Sequence, residues 1–367
     1  MTLPPVMTRR ALNRALLERQ LLLRRASMDP ADAVRHLVGL QTQVPGTHYT
    51  ALWSRLDGFD AEAFSRRFEA REFVRLSLQR ATLHTVTADD CLALRPVLQR
   101  AKEGPIRTGF GGRLDGVDLA RLAVAARALA EEEPRTLREF GEALAAEWPG
   151  VDPHTLGQAV RAFLPMVQTP PRGLWRRGGA ARHTTAEHWL GAPLGTDTEP
   201  DALVRRYLAA FGPASAKDAG TWSGLTGLGP VFARLKDELA VFRDERGTEL
   251  FDLPDAPRPD PDTPAPPRFL PEYDNLLIGH ADRSRVMTPE DRARIWAGKN
   301  RALPAFLIDG FTAGVWQLTT DRAGTAAVLT LTPFGDPTPG ERAAVEAEGA
   351  ALLAFHAPGA DHTVRWE

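Results

Sequence analysis

Three times along this chain a stretch with helical apolar spacing gives way to a pair of short runs that alternate at period two. Few folds accept that grammar, because side chains on a helix and on a strand reach one core at different periods. In the first unit, Leu12, Leu16, Leu17 and Leu21 mark a helix, and further helices are predicted over 29–40, 48–55 and 61–68. Runs 73–78 and 81–86 then form a two-stranded ribbon across a polar break. In the second unit, Thr136 and Glu139 make a capping box that opens a helix through Trp148, 154–167 is the next helix, and 173–184 reads as a hairpin turning on Gly178-Gly179. The third unit has helices over 203–211, 215–222 and 228–239, followed by strands 239–242 and 250–253. Helices followed by a ribbon are the signature of a winged helix, so three tandem winged helices are expected, over 8–100, 118–192 and 201–253.

Residues 254–267 are rich in Pro and Asp and read as a linker too poor in apolar groups to pack. Beyond it, 268–367 has strands at 305–308, 314–319, 326–332 and 363–366 and a helix over 341–355, which predicts a strand-rich, mixed or barrel-like last domain. The fold class is thus α+β, mostly helical. With 367 residues and 43% hydrophobic content, several packed units are affordable. One cysteine, Cys91, rules out an internal disulfide framework and suits a reducing cytoplasm. No run is long and apolar enough to span a membrane, and the start lacks a secretory core. A formal net charge of −2 argues against a uniformly basic coat but leaves room for a basic groove. Arg172, Arg176, Arg177 and Arg182 form such a local cluster at the second ribbon, either laid along phosphates or merely solvated.

The segment Gly39-Leu40-Gln41-Thr42-Gln43 follows the helix predicted over 29–40, whose period would carry Gln41 to the buried face. Glutamines two apart diverge on a helix but share a side on an extended segment, and Pro45 biases Val44 towards extended geometry. The pair can converge only where the helix stops; by spacing alone it reads as a solvated or capping helix end. Common catalytic signatures are missing: no P-loop, no dinucleotide fingerprint, no H-E-x-x-H and no G-x-S-x-G elbow. The nine histidines are dispersed, which supports no metal site. Asp89-Asp90 and Asp282 are adjacent to other charges and read as solvated or capping.

Together with Gln79-Arg80-Ala81-Thr82-Leu83-His84, Leu270-Pro271-Glu272-Tyr273-Asp274-Asn275-Leu276-Leu277 and His280-Ala281-Asp282-Arg283-Ser284-Arg285, that segment resembles the motifs of the AlkZ-type DNA glycosylases, in their order, over Thr8 to Trp366. Many members read Arg-Gly-Thr-Leu-His where this chain has Arg80-Ala81-Thr82-Leu83-His84. The resemblance implies winged helices in a C-shape around a DNA channel, with a QxQ pair at the catalytic centre; here that pair is Gln41 and Gln43. It also implies supporting or DNA-binding roles for Arg80, Thr82, His84, His280, Asp282, Arg283 and Arg285, joined by Arg176, Arg177 and Arg182 of the basic cluster. The implied protein is a monomeric, cytoplasmic, monofunctional glycosylase without cofactor or metal, acting on double-stranded alkylated or crosslinked DNA in repair or antibiotic self-resistance. A non-catalytic winged-helix DNA-binding protein, a regulator or a lesion-shielding factor, is the alternative.

A glutamine pair suits only part of the chemistry of glycosidic cleavage. Ordinary glycosidases supply a carboxylate and a general acid, and glutamine can be neither. An N7-alkylated guanine already carries positive charge, so it leaves neutral without protonation. What remains is to place a water and to stabilise a cation-like sugar, both within reach of fixed amide dipoles.

Overall fold

The computed structural model describes residues 4–296 and 301–367, so Lys299 lies outside the described residues. The expected alternation is present, and its ribbons are joined differently from three separate wings. The first ribbon, Phe73–Ser77 with Leu83–Thr87, continues into the second, because Phe73–Ser77 also pairs antiparallel with Met166–Gln168, setting Arg75 opposite Gln168. The resulting six-stranded sheet runs from Leu40–Gln41 at one edge to Arg135–Thr136 at the other. The third ribbon, Ala240–Asp244 with Glu249–Asp252, is extended by the N-terminal Val6–Met7, which pairs parallel to Ala240–Asp244.

The second ribbon corrects the hairpin expected over 173–184. Arg182–Thr185 pairs with Met166–Gln168, and 169–181 is an irregular excursion. Gly173 (φ +95°) and the wholly buried Gly173–Leu174 turn that chain inward instead of extending it as a strand. The capping box of Thr136 and Glu139 is formed, though its helix ends early, at Leu144.

Residues 254–267 contradict the expectation that they cannot pack. Their carbonyls accept from arginines of the first helix, Arg9–Arg19: Arg14 Nε to Thr263 O at 2.6 Å, Arg10 Nε to Pro261 O at 2.8 Å and Arg19 Nε to Pro257 O at 3.2 Å. Apolar content is the wrong criterion for a segment held by its backbone acceptors. Arg19 also makes a buried two-point ion pair with Asp252, at 2.6 and 2.8 Å, tying the first helix to the third ribbon.

The last region is an open mixed sheet, ordered Arg268–Leu270, Ala305–Ile308, Phe311–Thr320, Ala326–Pro333 and Asp361–Trp366, with the final pair parallel. The helix Pro339–His356 packs on it through Val345, Gly349, Leu352 and Leu353. A Cβ at Gly349 would stand 2.8 Å from Leu329 Cδ2, so the helix lies close to the sheet. The largest apolar core draws on every region, from Leu16 through Val74, Val167 and Phe211 to Leu307. It brings the segment after residue 270 against the start of the six-stranded sheet.

Candidate active site

The helix expected over 29–40 stops at His36. Val38 takes a left-handed conformation (φ 54°), Gly39 follows at φ 89°, and Gly39 N donates to Val34 O at 2.9 Å, a Schellman-type ending. A Cβ on Gly39 would meet Val86 Cγ1 at 2.6 Å, so only glycine allows the chain this close to the neighbouring strand. Leu40–Gln41 then leaves as a short edge strand pairing with Leu83–Thr87, with Gln41 opposite His84. Gln41 is buried, as its period suggested, but through a strand and not a helix face. Thr42 N donates to Leu83 O at 2.8 Å and prolongs the pairing by one residue.

This register sorts the side chains into two layers, since alternate residues share a face and directly opposed residues stand side by side. One face carries Gln41, Gln43, Thr82 and His84. Both glutamines reach the turn that precedes the partner strand: Gln41 Oε1 accepts from Arg80 Nη2, and Gln43 Oε1 accepts from Leu83 N at 3.2 Å. A guanidinium and a backbone N–H only donate, so both carboxamides have their oxygens turned to these partners. Each oxygen keeps a lone pair for one further donor. No carboxylate is hydrogen-bonded to Gln41, Gln43, Arg80, Thr82 or His84 among the described residues.

The turn itself is strained. Arg80 (φ 53°) and Ala81 (φ 56°) are both left-handed, in a one-turn 3-10 helix, Gln79–Ala81, steadied by Thr82 Oγ1 donating to Gln79 O at 3.0 Å and Gln79 Nε2 to Val38 O at 2.8 Å. Arg80 also donates from Nη1 to Trp222 O. Burial, with the nearby Arg283 charge second, lowers the Arg80 guanidinium to about 10, so it stays charged. His84 Nδ1 lies 3.0 Å from Thr82 O, a carbonyl that fixes the proton there. Burial, then the Arg80 charge, pushes His84 down to about 3. The ring is neutral, and its Nε2 is an acceptor with no partner among the described residues.

Beneath this face lies a second polar layer that the sequence reading passed over. Arg75, 1% exposed, donates from Nε to Thr42 O at 3.0 Å and to Thr42 Oγ1 at 3.3 Å, and from Nη2 to Thr42 O and to Gln43 O at 3.3 Å. Its Nη1 donates to Gln168 Oε1. Thr42 Oγ1 meets Thr85 Oγ1 at 3.2 Å, Thr85 Oγ1 meets His48 Nδ1 at 3.4 Å, and His48 Nε2 reaches Gly173 O at 3.1 Å. The signal was available: an arginine flanked by Phe73, Val74 and Leu76 in the middle of the strand Phe73–Ser77 must find buried acceptors. Asn275 was also missed as a site residue. Its Oδ1 accepts from Gln41 N at 3.2 Å and its Nδ2 donates to Gly39 O at 2.7 Å. The preceding Asp274 is held by Arg55 in a buried two-point ion pair, 2.7 and 2.8 Å.

The other expected residues are divided. Arg283 lies near Arg80, stacks on Trp296 at 4.9 Å, and has a buried Nε without a partner. His280 and Arg285 bind backbone carbonyls of the third unit: His280 Nε2 lies 3.0 Å from Phe211 O and Arg285 Nη1 donates to Pro213 O at 2.9 Å, and neither is hydrogen-bonded to Gln41 or Gln43 among the described residues. Asp282 accepts from Ser284 N at 3.0 Å and pairs with Arg246. Arg182 is engaged by Glu139 at 3.2 Å and by Pro134 O, while Arg176 donates to His356 O at 2.6 Å and Arg177 is exposed. Arg176 and Arg177 border an open groove of about 460 Å³, whose other walls include Val44–Gly46 just past Gln43, Trp175 and Trp316. Asp90 is paired with Arg206 at 2.6 Å, and burial raises the Cys91 thiol to about 12, which leaves neither as a free acid or nucleophile. Among the described residues no group of three His, Cys, Asp or Glu side chains could hold a metal ion, and no helix is long and apolar enough to cross a membrane.

Comparison with known proteins places this geometry. A family model described as DNA glycosylase AlkZ-like matches residues 34–355. No curated protein sequence matches. Among solved structures, Streptomyces sahachiroi DNA glycosylase AlkZ is similar with a TM-score of 0.80 at 20% identity, covering 99% of this chain and 100% of that one, a likeness of fold.

Proposed function

The chain belongs to the AlkZ-like DNA glycosylase family, and from that membership we propose that it hydrolyses the N-glycosidic bond of cationic N7-alkylguanine in duplex DNA, bulky adducts and interstrand crosslinks included. The observation that carries the reading is the carboxylate-free face of Gln41, Gln43, Thr82 and His84. Such a face offers acceptors and no acid, which suits a base that leaves neutral without being protonated. Gln41 and Gln43 hold the attacking water through their remaining carbonyl lone pairs, and the neutral His84 Nε2 is a third acceptor on the same face. Two of these acceptors can take the water's two O–H groups while the third faces the sugar, where it favours the developing positive charge; as the neutral base leaves and the water adds, the water's surplus proton passes to solvent. Arg80 holds Gln41 in place, and with Arg283 it supplies cations for the phosphates that flank the lesion.

Release is by water alone. Lys102 is buried and donates to Arg161 O at 2.9 Å, Lys217 lines a different groove with Arg9, Asp244 and Asp282, and Lys236 pairs with Glu249 at 3.1 Å, so the described lysines are engaged or placed elsewhere and offer no Schiff-base amine to this face. The three helix-and-ribbon units act as winged helices along the DNA, with Arg176 and Arg177 following the backbone beside the groove, and the protein works as a monomer. The test is incubation with duplex carrying N7-methylguanine or a bis-N7-guanine crosslink, with abasic sites scored by alkaline strand cleavage. Base release is expected from both; none from either, with binding retained, would favour a non-catalytic DNA-binding protein.

A further inference from the structure

The geometry points to Arg75 as the positioning residue that sets Gln43 for catalysis, acting through the peptide carbonyls of Thr42 and Gln43. This role rests on the glycosylase reading of the glutamine pair. Gln43 lies past the end of the paired strand: the ladder stops at Gln41, and Thr42 N to Leu83 O is the last backbone bond that follows it. From there two hydrogen-bonded anchors fix it among the described residues. One is its own side chain on Leu83 N, and the other is the Arg75 guanidinium on Thr42 O and Gln43 O.

Arg75 is an unusual group to bury. It is 1% exposed, its hydrogen-bond partners are all uncharged, and no ion pair to it exists among the described residues. A buried cation without a counter-ion carries a desolvation cost that an apolar strand residue would not. Its fork is spent on one task. Nε and Nη2 both grip Thr42 O, Nη2 reaches on to Gln43 O, and Nη1 is braced by Gln168 Oε1 across the strand pair that joins the first two units. A planar guanidinium can hold two successive carbonyls in a fixed relation; an ammonium cannot. Pointing the Thr42 carbonyl down onto Arg75 puts the side chains of Gln41 and Gln43 on the opposite face, where both meet the turn. The brace also makes the second unit part of the site, since Gln168 belongs to its ribbon.

The measurement is single-turnover release of N7-methylguanine from duplex by wild type, Arg75→Lys, Gln43→Ala and the double variant, with duplex affinity measured alongside. Displacing Gln43 by a fraction of an ångström to an ångström predicts a rate loss of about 10- to 100-fold in Arg75→Lys, with affinity held within about two-fold. In the Gln43→Ala background, Arg75→Lys should cost less than about three-fold more, because a residue that acts through Gln43 has nothing left to position. Losses that multiply, or a single variant at the wild-type rate, would overturn the role. Should Arg75→Lys fail to fold, Gln168→Ala decides: about a three-fold rate loss that vanishes in the Gln43→Ala background supports the role, and no loss overturns it. A wild-type protein inert on the same duplex is a separate result, one that removes the glycosylase reading and this role with it.

Discussion

The carboxamide of Asn275 spans the edge strand that carries Gln41, accepting from Gln41 N at 3.2 Å and donating to Gly39 O at 2.7 Å. It does for an unpaired strand edge what a further strand would do. The two motifs involved are 234 residues apart in sequence, and the side chain that joins them is buried. Asn275→Ala leaves a buried N–H and a buried carbonyl unpartnered, a loss of about 1–3 kcal/mol in unfolding free energy. It should also slow base release more than it weakens duplex binding. Denaturant unfolding together with single-turnover kinetics checks both; unchanged stability would mean that water replaces the amide.

Ala81 occupies a left-handed position, φ 56°, beside the left-handed Arg80. That conformation costs a non-glycine residue about 1–2 kcal/mol, which gives a physical reason for the glycine in the Arg-Gly-Thr-Leu-His pattern of the resembling family. Ala81→Gly should therefore keep its activity and be neutral to slightly stabilising, by up to about 1 kcal/mol after the entropic cost of glycine. A substantial drop in melting temperature would contradict it.

Acid should destabilise the fold without an acidic limb from His84. Burial first lowers His48, His84 and His280 to about 3 and His183 to about 4, and neighbouring arginine charges (Arg75, Arg80 and Arg285) add to the first three. Their unfolded values lie near 6.5. Above that pH neither state binds the proton, so stability is undiminished. Below it the unfolded chain takes up protons that the folded chain refuses, and stability falls by up to about 1.4 kcal/mol per pH unit for each histidine until the folded values are reached. Urea midpoints measured from about pH 7 down to 5 should fall, and His48→Asn should flatten the slope. Over about pH 5.5 to 8 the release rate of folded protein should stay level, because His84 remains neutral; a rate limb near 6.5 would contradict the acceptor role.

Much of this was legible in the sequence, and what was not has identifiable causes. The first and third ribbons announced themselves by alternation, and the glutamines by standing where a helix must stop, whereas the second ribbon did not, its strands being Met166–Gln168 and Arg182–Thr185. The sequence could not show that Phe73–Ser77 would pair with Met166–Gln168, because strand partnership between units leaves no periodicity. His280 and Arg285 were grouped with the site by their motif, yet their side chains turn to Phe211 O and Pro213 O to hold the loop that Arg283 leaves. Residues 254–267 looked unpackable because composition counts side chains, whereas arginines of the first helix bind that segment by its carbonyls.

Arg177 is exposed and Arg176, among the described residues, is held by His356 O and the Trp175 face, at the rim of the groove past Gln43. Reversing both charges, Arg176→Glu with Arg177→Glu, should weaken duplex binding and reduce the salt slope by about two, one for each lost phosphate contact. Affinity measured at several salt concentrations checks this, and an unaltered slope would take this rim out of the DNA interface.

The central claim is that a face with acceptors and no acid works only on a base that is already charged. The direct measurement compares one duplex carrying N7-methylguanine with the same duplex carrying a neutral lesion, such as uracil, in wild type, Gln41→Ala and Gln43→Ala. The prediction is release of N7-methylguanine by wild type, no release of the neutral base, and a loss of about 100-fold or more in each glutamine variant. Release of both bases at similar rates, or glutamine variants as active as wild type, would contradict it.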